Sequence, residues 1–174
     1  ALVGGTAAGG VAYLNRHRLT TYYQDSNIQY HNRQRINHEA DLKQGTHIDI
    51  AVYRRVVLLA GEVLHASQRI KVGEIAKAVP NIKRVYNELK ISGSTSLLTR
   101  TSDSLITSRV KSRMLATWQL ESRNIKIVTN NGIVYLMGEV TEQQAQLAEK
   151  AARQVSGVRR VVTLFEIKKV EKAQ

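Results

Sequence analysis

The fold of this chain is decided by a stretch that occurs twice. Residues 47–63 read HIDIAVYRRVVLLAGEV, and residues 124–140 read NIKIVTNNGIVYLMGEV. Aligned without gaps at a spacing of 77 residues, the two stretches are identical at seven of 17 positions. Further along, VPNIKRV at 79–85 matches VSGVRRV at 155–161 at a spacing of 76. Self-similarity of this kind indicates a duplicated structural unit, and only two copies indicate two domains instead of a solenoid.

Each copy begins with a predicted helix. In the second copy it runs from about Leu105 to Thr117, and Asp103 or Ser104 can cap it, because short polar side chains accept hydrogen bonds from the first free backbone N–H groups. The core-facing residues fall in one arc at 100° per residue: Ile106, Val110, Met114 and Thr117. The matching helix of the first copy, near 28–42, is more polar. Its apolar bulk is limited to Ile28, Tyr30, Ile36 and Leu42.

The remainder of each copy is predicted as a hairpin, a helix and a third strand. In the second copy two strand patterns flank the turn residues 130–132, Thr141 with Gln144 is typical of a helix start, and a β-branched segment covers 158–167. The first copy repeats this order with Arg54-Arg55 at its hairpin turn and Pro80-Asn81 after its helix. The predicted fold class is therefore α+β: two tandem α-β-β-α-β modules, each a small three-stranded sheet packed by two helices.

The predicted organisation follows from these patterns and from a small polar stretch between the copies. The segments are an N-terminal tail (1–24), a first module (25–92), a linker (93–103), a second module (104–168) and a C-terminal tail (169–174). The chain starts without Met on small and apolar residues, so we expect a processed N-terminus that is too short for a complete signal peptide. Modules of this size are marginal alone, and packing between them would help.

Composition favours a binding protein with an anionic partner. The net charge is +12 and the pI about 10.2, whereas cysteine is absent, which excludes disulfides and thiol catalysis in this sequence. The five histidines lack zinc-like spacing, and no phosphate-cradling loop, nucleophile elbow or paired-carboxylate motif occurs. Gly-Glu recurs at 61–62 and 138–139, which fits a scaffold role better than acid–base chemistry. We therefore expect no enzyme activity, cofactor or metal.

The α-β-β-α-β order, the Gly-Glu-Val ending of both second strands and the VSGVRRV segment resemble the BON domain over about 25–168. With TNNGIVYLMGEVTE at 129–142, the chain is similar to the dual-BON-domain outer-membrane lipoproteins, a family that includes a division-associated lipid-binding protein. The resemblance implies a periplasmic protein of Gram-negative bacteria, held at the outer membrane by an acylated Cys upstream of Ala1. It also implies binding of anionic phospholipid through the second domain and support of outer-membrane integrity.

A candidate lipid site lies on the first helix of the second module, away from its core stripe. Leu105 and Leu115 project there with small residues between them, cations flank them, and Trp118 lies near the helix end. Apolar groups rimmed by cations suit a bilayer interface. The family resemblance implies that the side chains of Leu105 and Leu115 insert into the membrane. At the position of Leu105 the related proteins have a Trp, which this sequence lacks there. The candidate site residues are Leu105, Arg109, Lys111, Ser112, Leu115 and Trp118.

Three alternatives remain open from the sequence. Leu105 and Leu115 could instead close the core or pack between the modules. A nucleic-acid binder is suggested by the high pI and by the basic pairs at 54–55, 83–84 and 159–160, but one Phe and one Trp offer few stacking platforms, and we expect no nucleic-acid partner. A protein-interaction module that docks an outer-membrane or division-site envelope assembly is the third.

Overall fold

The computed structural model describes residues 7–93 and 97–170. The first module contains, in chain order, α1 (Ala7–His38), β1 (His47–Tyr53), β2 (Val56–Val63), α2 (Ala66–Lys77), β3 (Arg84–Asn87) and β4 (Lys90–Ile91). The second contains α3 (Leu97–Leu115), β5 (Lys126–Asn130), β6 (Ile133–Val140), α4 (Glu142–Arg153) and β7 (Arg160–Ile167). The predicted α+β class and the α-β-β-α-β order of both modules are confirmed.

Each module has one small sheet with its second strand in the centre. In the second module β6 pairs antiparallel with β5 and parallel with β7. In the first module β2 pairs antiparallel with β1 and parallel with both β3 and β4. There the third strand is interrupted at Glu88 and Leu89, where Leu89 is buried in the core, while the backbone N–H of Glu88 still donates to the Leu59 carbonyl of β2 (2.8 Å).

Both hairpins turn through two residues with positive φ. Asn131 and Gly132 have φ of 48° and 74°, and Arg54 and Arg55 have φ of 49° and 66°. Positive φ at both central residues is the signature of the type I′ turn, whose twist matches the twist of the strands that it joins. The predicted turn positions are therefore confirmed, although two arginines are unusual residues for this conformation.

Two helices are longer than predicted. Helix α1 begins at Ala7, so residues 7–24 of the predicted tail are helical, and residues 1–6 lie outside the described residues. Residues 12–24 contain neither Gly nor Pro, so nothing in them stops a helix. Helix α3 begins at Leu97, within the predicted linker. Its serines do not interrupt it, because the hydroxyl of Ser104 donates to the Arg100 carbonyl four residues back (3.2 Å).

Every residue of β2 is buried, because both faces of its sheet are covered. One face packs against α1 and α2, with Val57, Leu59 and Val63 in that core. The other face packs against the sheet of the second module, whose opposite face is in turn covered by α3 and α4. The molecule is thus a four-layer stack in which two sheets lie face to face between two outer layers of helices.

The interface between the sheets uses equivalent strand positions in both modules. Residues 56, 58 and 60 of β2 meet residues 133, 135 and 137 of β6, which are their counterparts at the spacing of 77. The buried residues of this interface are Ala51, Val56, Leu58, Ala60, Tyr135, Met137 and Leu164. Two ion pairs border it, between Arg54 and Glu139 (3.0 Å) and between Lys83 and Glu166 (2.6 Å). Duplication has therefore produced two copies of one surface that pack against each other.

Tyr135 is the largest side chain buried in this interface, with 1% of its surface exposed. Its burial raises the pKa of its hydroxyl to about 12, and the negative charges of Glu88 and Glu62 act in the same direction, against Arg160. Desolvation disfavours the phenolate because the interface offers it less stabilisation than water does.

The interface makes a direct prediction for Leu58, which has no exposed surface. Replacing it by Ala should lower the free energy of unfolding by about 2–5 kcal/mol, because apolar contacts are lost and a cavity remains between the sheets. Urea unfolding followed by circular dichroism measures the change. Leu98→Ala is the matched control, since 81% of Leu98 is exposed and its loss should cost less than about 0.5 kcal/mol. Equal losses in the two variants would contradict the sheet-to-sheet packing.

Tyr135 predicts a loss of stability at alkaline pH. The neutral hydroxyl is favoured in the folded state, so its contribution is complete below pH 10, the ordinary Tyr pKa, and is lost as the pH rises from 10 to about 12. Over that range the native protein should lose about 2–3 kcal/mol more than Tyr135→Phe. Parallel denaturant titrations of the two proteins across this pH range measure the difference. Exposed Tyr22, replaced by Phe, is the control for the loss of a hydroxyl at the surface.

Candidate functional site

Helix α3 has one buried face and one exposed face. Ile106, Val110 and Met114 lie in the core of the second module, as the sequence predicts. On the other side Leu105 is 53% exposed and Leu115 is 77% exposed. These two leucines therefore neither close the core nor pack between the modules, and that alternative is wrong. The structure leaves them as apolar surface.

Trp118 and Leu98 extend this apolar surface in both directions. Trp118 lies in the turn after α3 and is 84% exposed. Leu98 precedes Leu105 by seven residues, which is about two turns and 10 Å along a helix, so both side chains lie on the same side. Leu98 is not among the predicted site residues, because it falls in the predicted linker. The seven-residue spacing of the two leucines was the signal that could have included it.

The polar residues predicted for the site are exposed on the same helix. Arg109, Lys111 and Ser112 are all open to solvent, and within the described residues neither cation has an ion-pair partner. The only acidic residue between 97 and 118 is Asp103, which is 6% exposed. We call this surface the α3 outer face; its residues are Leu98, Leu105, Arg109, Lys111, Ser112, Leu115 and Trp118.

Asp103 holds α3 against the sheet instead of capping it. Its carboxylate oxygens accept hydrogen bonds from the backbone N–H groups of Asn131 (2.7 Å) and Gly132 (2.9 Å). The predicted capping by Asp103 is therefore wrong: the carboxylate satisfies two N–H groups of the hairpin turn, and the helix continues for six residues before it. In the first module Asp25 binds the N–H groups of Arg54 (2.7 Å) and Arg55 (2.8 Å) in the same way.

The loop that carries Trp118 is fixed by Gln144. Thr141 caps α4 as predicted, because its hydroxyl accepts from the Gln144 N–H (3.2 Å). The Gln144 side chain does not complete the predicted capping box. It accepts from the Glu121 N–H (2.8 Å) and donates to the Gln119 carbonyl (2.6 Å), on the loop after α3. Gln68 of the first module likewise donates to the Asp41 carbonyl (2.8 Å).

The recurring Gly-Glu pairs have scaffold roles. Gly61 (φ 113°) and Gly138 (φ 150°) lie where a Cβ atom would be 2.0 Å from the His47 carbonyl oxygen and 2.3 Å from the Asn124 carbonyl oxygen, so no larger residue fits. Glu139 is bound by Arg54 across the interface. Within residues 7–93 and 97–170, no group of three or more His, Asp or Glu side chains is placed to hold a metal ion.

The part of the chain that the structure describes contains no helix that is both long enough and apolar enough to cross a membrane. The α3 outer face is an amphipathic surface, on which leucines and a Trp lie beside cations that make no ion pair within the described residues. Such a surface can lie in the plane of an anionic boundary.

Comparison with known families agrees with the duplicated architecture. The BON domain family matches residues 24–93 and again residues 102–169. The chain therefore belongs to the BON domain family and contains two BON domains in tandem.

Among its relatives, the chain is 29% identical to the outer membrane lipoprotein DolP of Haemophilus influenzae, over 95% of this chain and 86% of that protein. It is also 29% identical to a 21 kDa hemolysin of Actinobacillus pleuropneumoniae, over 75% of this chain and 67% of the relative. The osmotically-inducible protein Y of Escherichia coli is 31% identical, over 68% of this chain and 60% of that protein. The first of these alignments spans both BON domains.

The Asp103 contact predicts that the packing of α3 against the sheet depends on this carboxylate. Asp103→Ala should lower the free energy of unfolding by about 1–3 kcal/mol, because two backbone N–H groups at the turn lose their acceptor. Chemical denaturation of the variant tests this. Asp41→Ala is the control, since that carboxylate is exposed and binds Lys71 at the surface (2.9 Å); its loss should lower the stability less than the loss of Asp103, because exposed ion pairs contribute little. An Asp103→Ala variant as stable as Asp41→Ala would contradict the role.

Proposed function

We propose that this protein is a non-enzymatic component of the bacterial envelope that binds anionic phospholipid through the α3 outer face. In this proposal it lies at the periplasmic side of the outer membrane and supports the integrity of that membrane. The similarity to an outer membrane lipoprotein supports the location. The observation that carries the lipid proposal is the exposure of Leu98, Leu105, Leu115 and Trp118 beside cations that have no ion-pair partner among the described residues.

The strength expected of this surface is modest. Each methylene group that enters the acyl boundary contributes about 0.8 kcal/mol, and each Lys or Arg near an anionic surface contributes about 1 kcal/mol. Arg109 and Lys111 together would thus contribute about 2 kcal/mol. Attachment by α3 alone is therefore reversible, and an acyl chain on a Cys upstream of Ala1 would supply the second signal that stable anchoring requires.

Nucleic-acid binding is less well supported. Two of the three basic pairs contribute a cation to the interface between the sheets, since Arg54 binds Glu139 and Lys83 binds Glu166. Ion-paired cations are poor phosphate ligands. The α3 outer face carries one exposed aromatic residue, Trp118, which is too little for a stacking platform that would hold several bases.

The first module offers a surface for a protein partner as a second candidate function. Leu19, Tyr22, Tyr23 and Tyr30 are each at least 57% exposed and fall on one side of α1, opposite Ile28. Exposed tyrosines are typical of protein interfaces. This row could dock another envelope protein while α3 holds the membrane.

The lipid proposal has a direct spectroscopic test, because Trp118 is the only Trp in the sequence. Vesicles of phosphatidylglycerol and phosphatidylethanolamine should shift its emission to shorter wavelength and sediment with the protein, whereas phosphatidylcholine vesicles should do neither. The Leu105→Glu/Leu115→Glu variant should lose about tenfold or more in vesicle affinity, because two charged groups enter the apolar boundary in place of leucines. Arg109→Gln/Lys111→Gln should lose roughly 30-fold.

Matched controls lie elsewhere on the surface. Ile70→Glu/Ile91→Glu changes two exposed apolar residues of the first module, and Arg123→Gln/Lys150→Gln removes two exposed cations of the second. Both should bind vesicles as the native protein does. If the Leu105→Glu/Leu115→Glu variant folds and still binds anionic vesicles normally, the site lies elsewhere and the α1 tyrosine row becomes the next surface to test.

A further inference from the structure

A cleft separate from the α3 outer face lies where the two modules meet at the start of α3. Its volume is about 380 Å³, within the range of small-ligand sites. The first module supplies most of the lining, from the C-terminal half of α1 to the start of β1, and α3 contributes Arg100. Arg100 therefore joins the lining only while both modules are docked.

The lining of this cleft is cationic. Arg33, Lys43 and Arg100 contribute to it, and no Asp or Glu does. Arg33 is half-buried and held in place, because its Nη1 donates to the Ile48 carbonyl (2.9 Å). Lys43 and Arg100 are exposed and, within the described part of the chain, make no ion pair. Three like charges around one concavity create a positive potential that an anion would relieve.

The acidic groups near the lining have other partners, since Glu39 and Asp41 both bind Lys71. His47, which lines the cleft, lies with its Nδ1 3.4 Å from Glu62 and its Nε2 3.4 Å from Asp49. The Thr46 hydroxyl donates a hydrogen bond to the Leu42 carbonyl (2.5 Å). The side-chain donors left for an occupant therefore belong to the three cations and to the Asn37 amide.

From this arrangement we infer that the cleft binds a phosphate-bearing anion. Guanidinium groups match the oxygen geometry of phosphate with paired N–H donors, and the Lys ammonium adds a mobile point charge. Buried Ile36 and Leu42 form an apolar wall beside the cations, which suits an ester that carries a small organic group. Because Arg33 and Arg100 come from different modules, an occupant also bridges the modules and stabilises their docking.

The test uses pyrophosphate as the probe and two-dimensional ¹H–¹⁵N NMR on the whole chain, with NaCl titrated separately to the same ionic strength. Saturable shifts at the amides of Thr46, His47 and Arg100, seen with pyrophosphate and not with chloride, are the expected result. Lys43→Gln/Arg100→Gln should weaken the affinity about tenfold or more, because each lost cation removes a charge-assisted contact.

The matched control is Arg123→Gln/Lys150→Gln, which lowers the net charge equally at exposed positions that do not line the cleft. Its affinity should stay within about twofold of the native value, well short of the tenfold loss that corresponds to one contact. Equal loss in both double variants would mean attraction by overall charge and would overturn the site. Absence of saturable shifts at the cleft would overturn it as well.

A competition experiment distinguishes a lipid head group from a free phosphate ester. If phosphatidylglycerol vesicles displace pyrophosphate from the cleft, the head group is the occupant; if they do not, while glycerol phosphate does, the occupant is a free ester. Displacement by neither would overturn the organic-ester assignment. The Leu105→Glu/Leu115→Glu variant should keep the pyrophosphate affinity of the native protein. A failure of the cleft proposal is thereby distinguished from a failure of the lipid proposal for the α3 outer face.

Discussion

The contact that the remaining structure depends on is the packing of one sheet against the other. A three-stranded sheet covered by two helices on one face still has an apolar second face, and a module of about 70 residues has little other surface with which to hide it. Here β2 and β6 bury those faces together, so that Leu58 and Ala60 share one cluster with Tyr135 and Met137. The helices are consequently confined to the two outer layers, and the outer side of α3 must face solvent.

Local sequence patterns predicted much of this fold, because turns, helix caps and helix faces are determined by interactions between residues close in sequence. The hairpins, the Thr141 cap and the core stripe of α3 each depend on residues within a few positions of one another. The docking of the sheets depends on residues that are far apart in the sequence. Near-continuous apolar runs at 56–60 and 133–137 are nevertheless typical of strands buried on both sides. A strand pattern shows which faces are apolar, but it does not show which surface covers them.

The helix starts were mispredicted for a related reason. Asp25 and Asp103 have the residue type and position of N-caps, but their acceptors serve N–H groups that lie 28 to 30 residues away, at the hairpin turns. The cationic cleft was not predicted for the same reason, because Arg33, Lys43 and Arg100 come together only when the modules dock. The position of Leu105 and Leu115 outside the core face of α3 was predictable from a helix wheel, whereas their exposure depends on where the other module packs.

Comparison of the two opening helices separates what the fold requires from what it leaves free. Aligning the two helices on Asp25 and Asp103 gives a spacing of 78 residues. At this spacing buried Ile28 is equivalent to Ile106, and buried Ile36 is equivalent to Met114. At the same spacing, exposed Leu105 and Leu115 replace Asn27 and Asn37 of α1. Asn at those positions satisfies the same scaffold, so packing does not explain the leucines. Their exposed apolar surface is unfavourable in water and is explained if the helix meets an apolar boundary, as proposed above. Cations that make no ion pair among the described residues lie beside these leucines and would favour an anionic boundary.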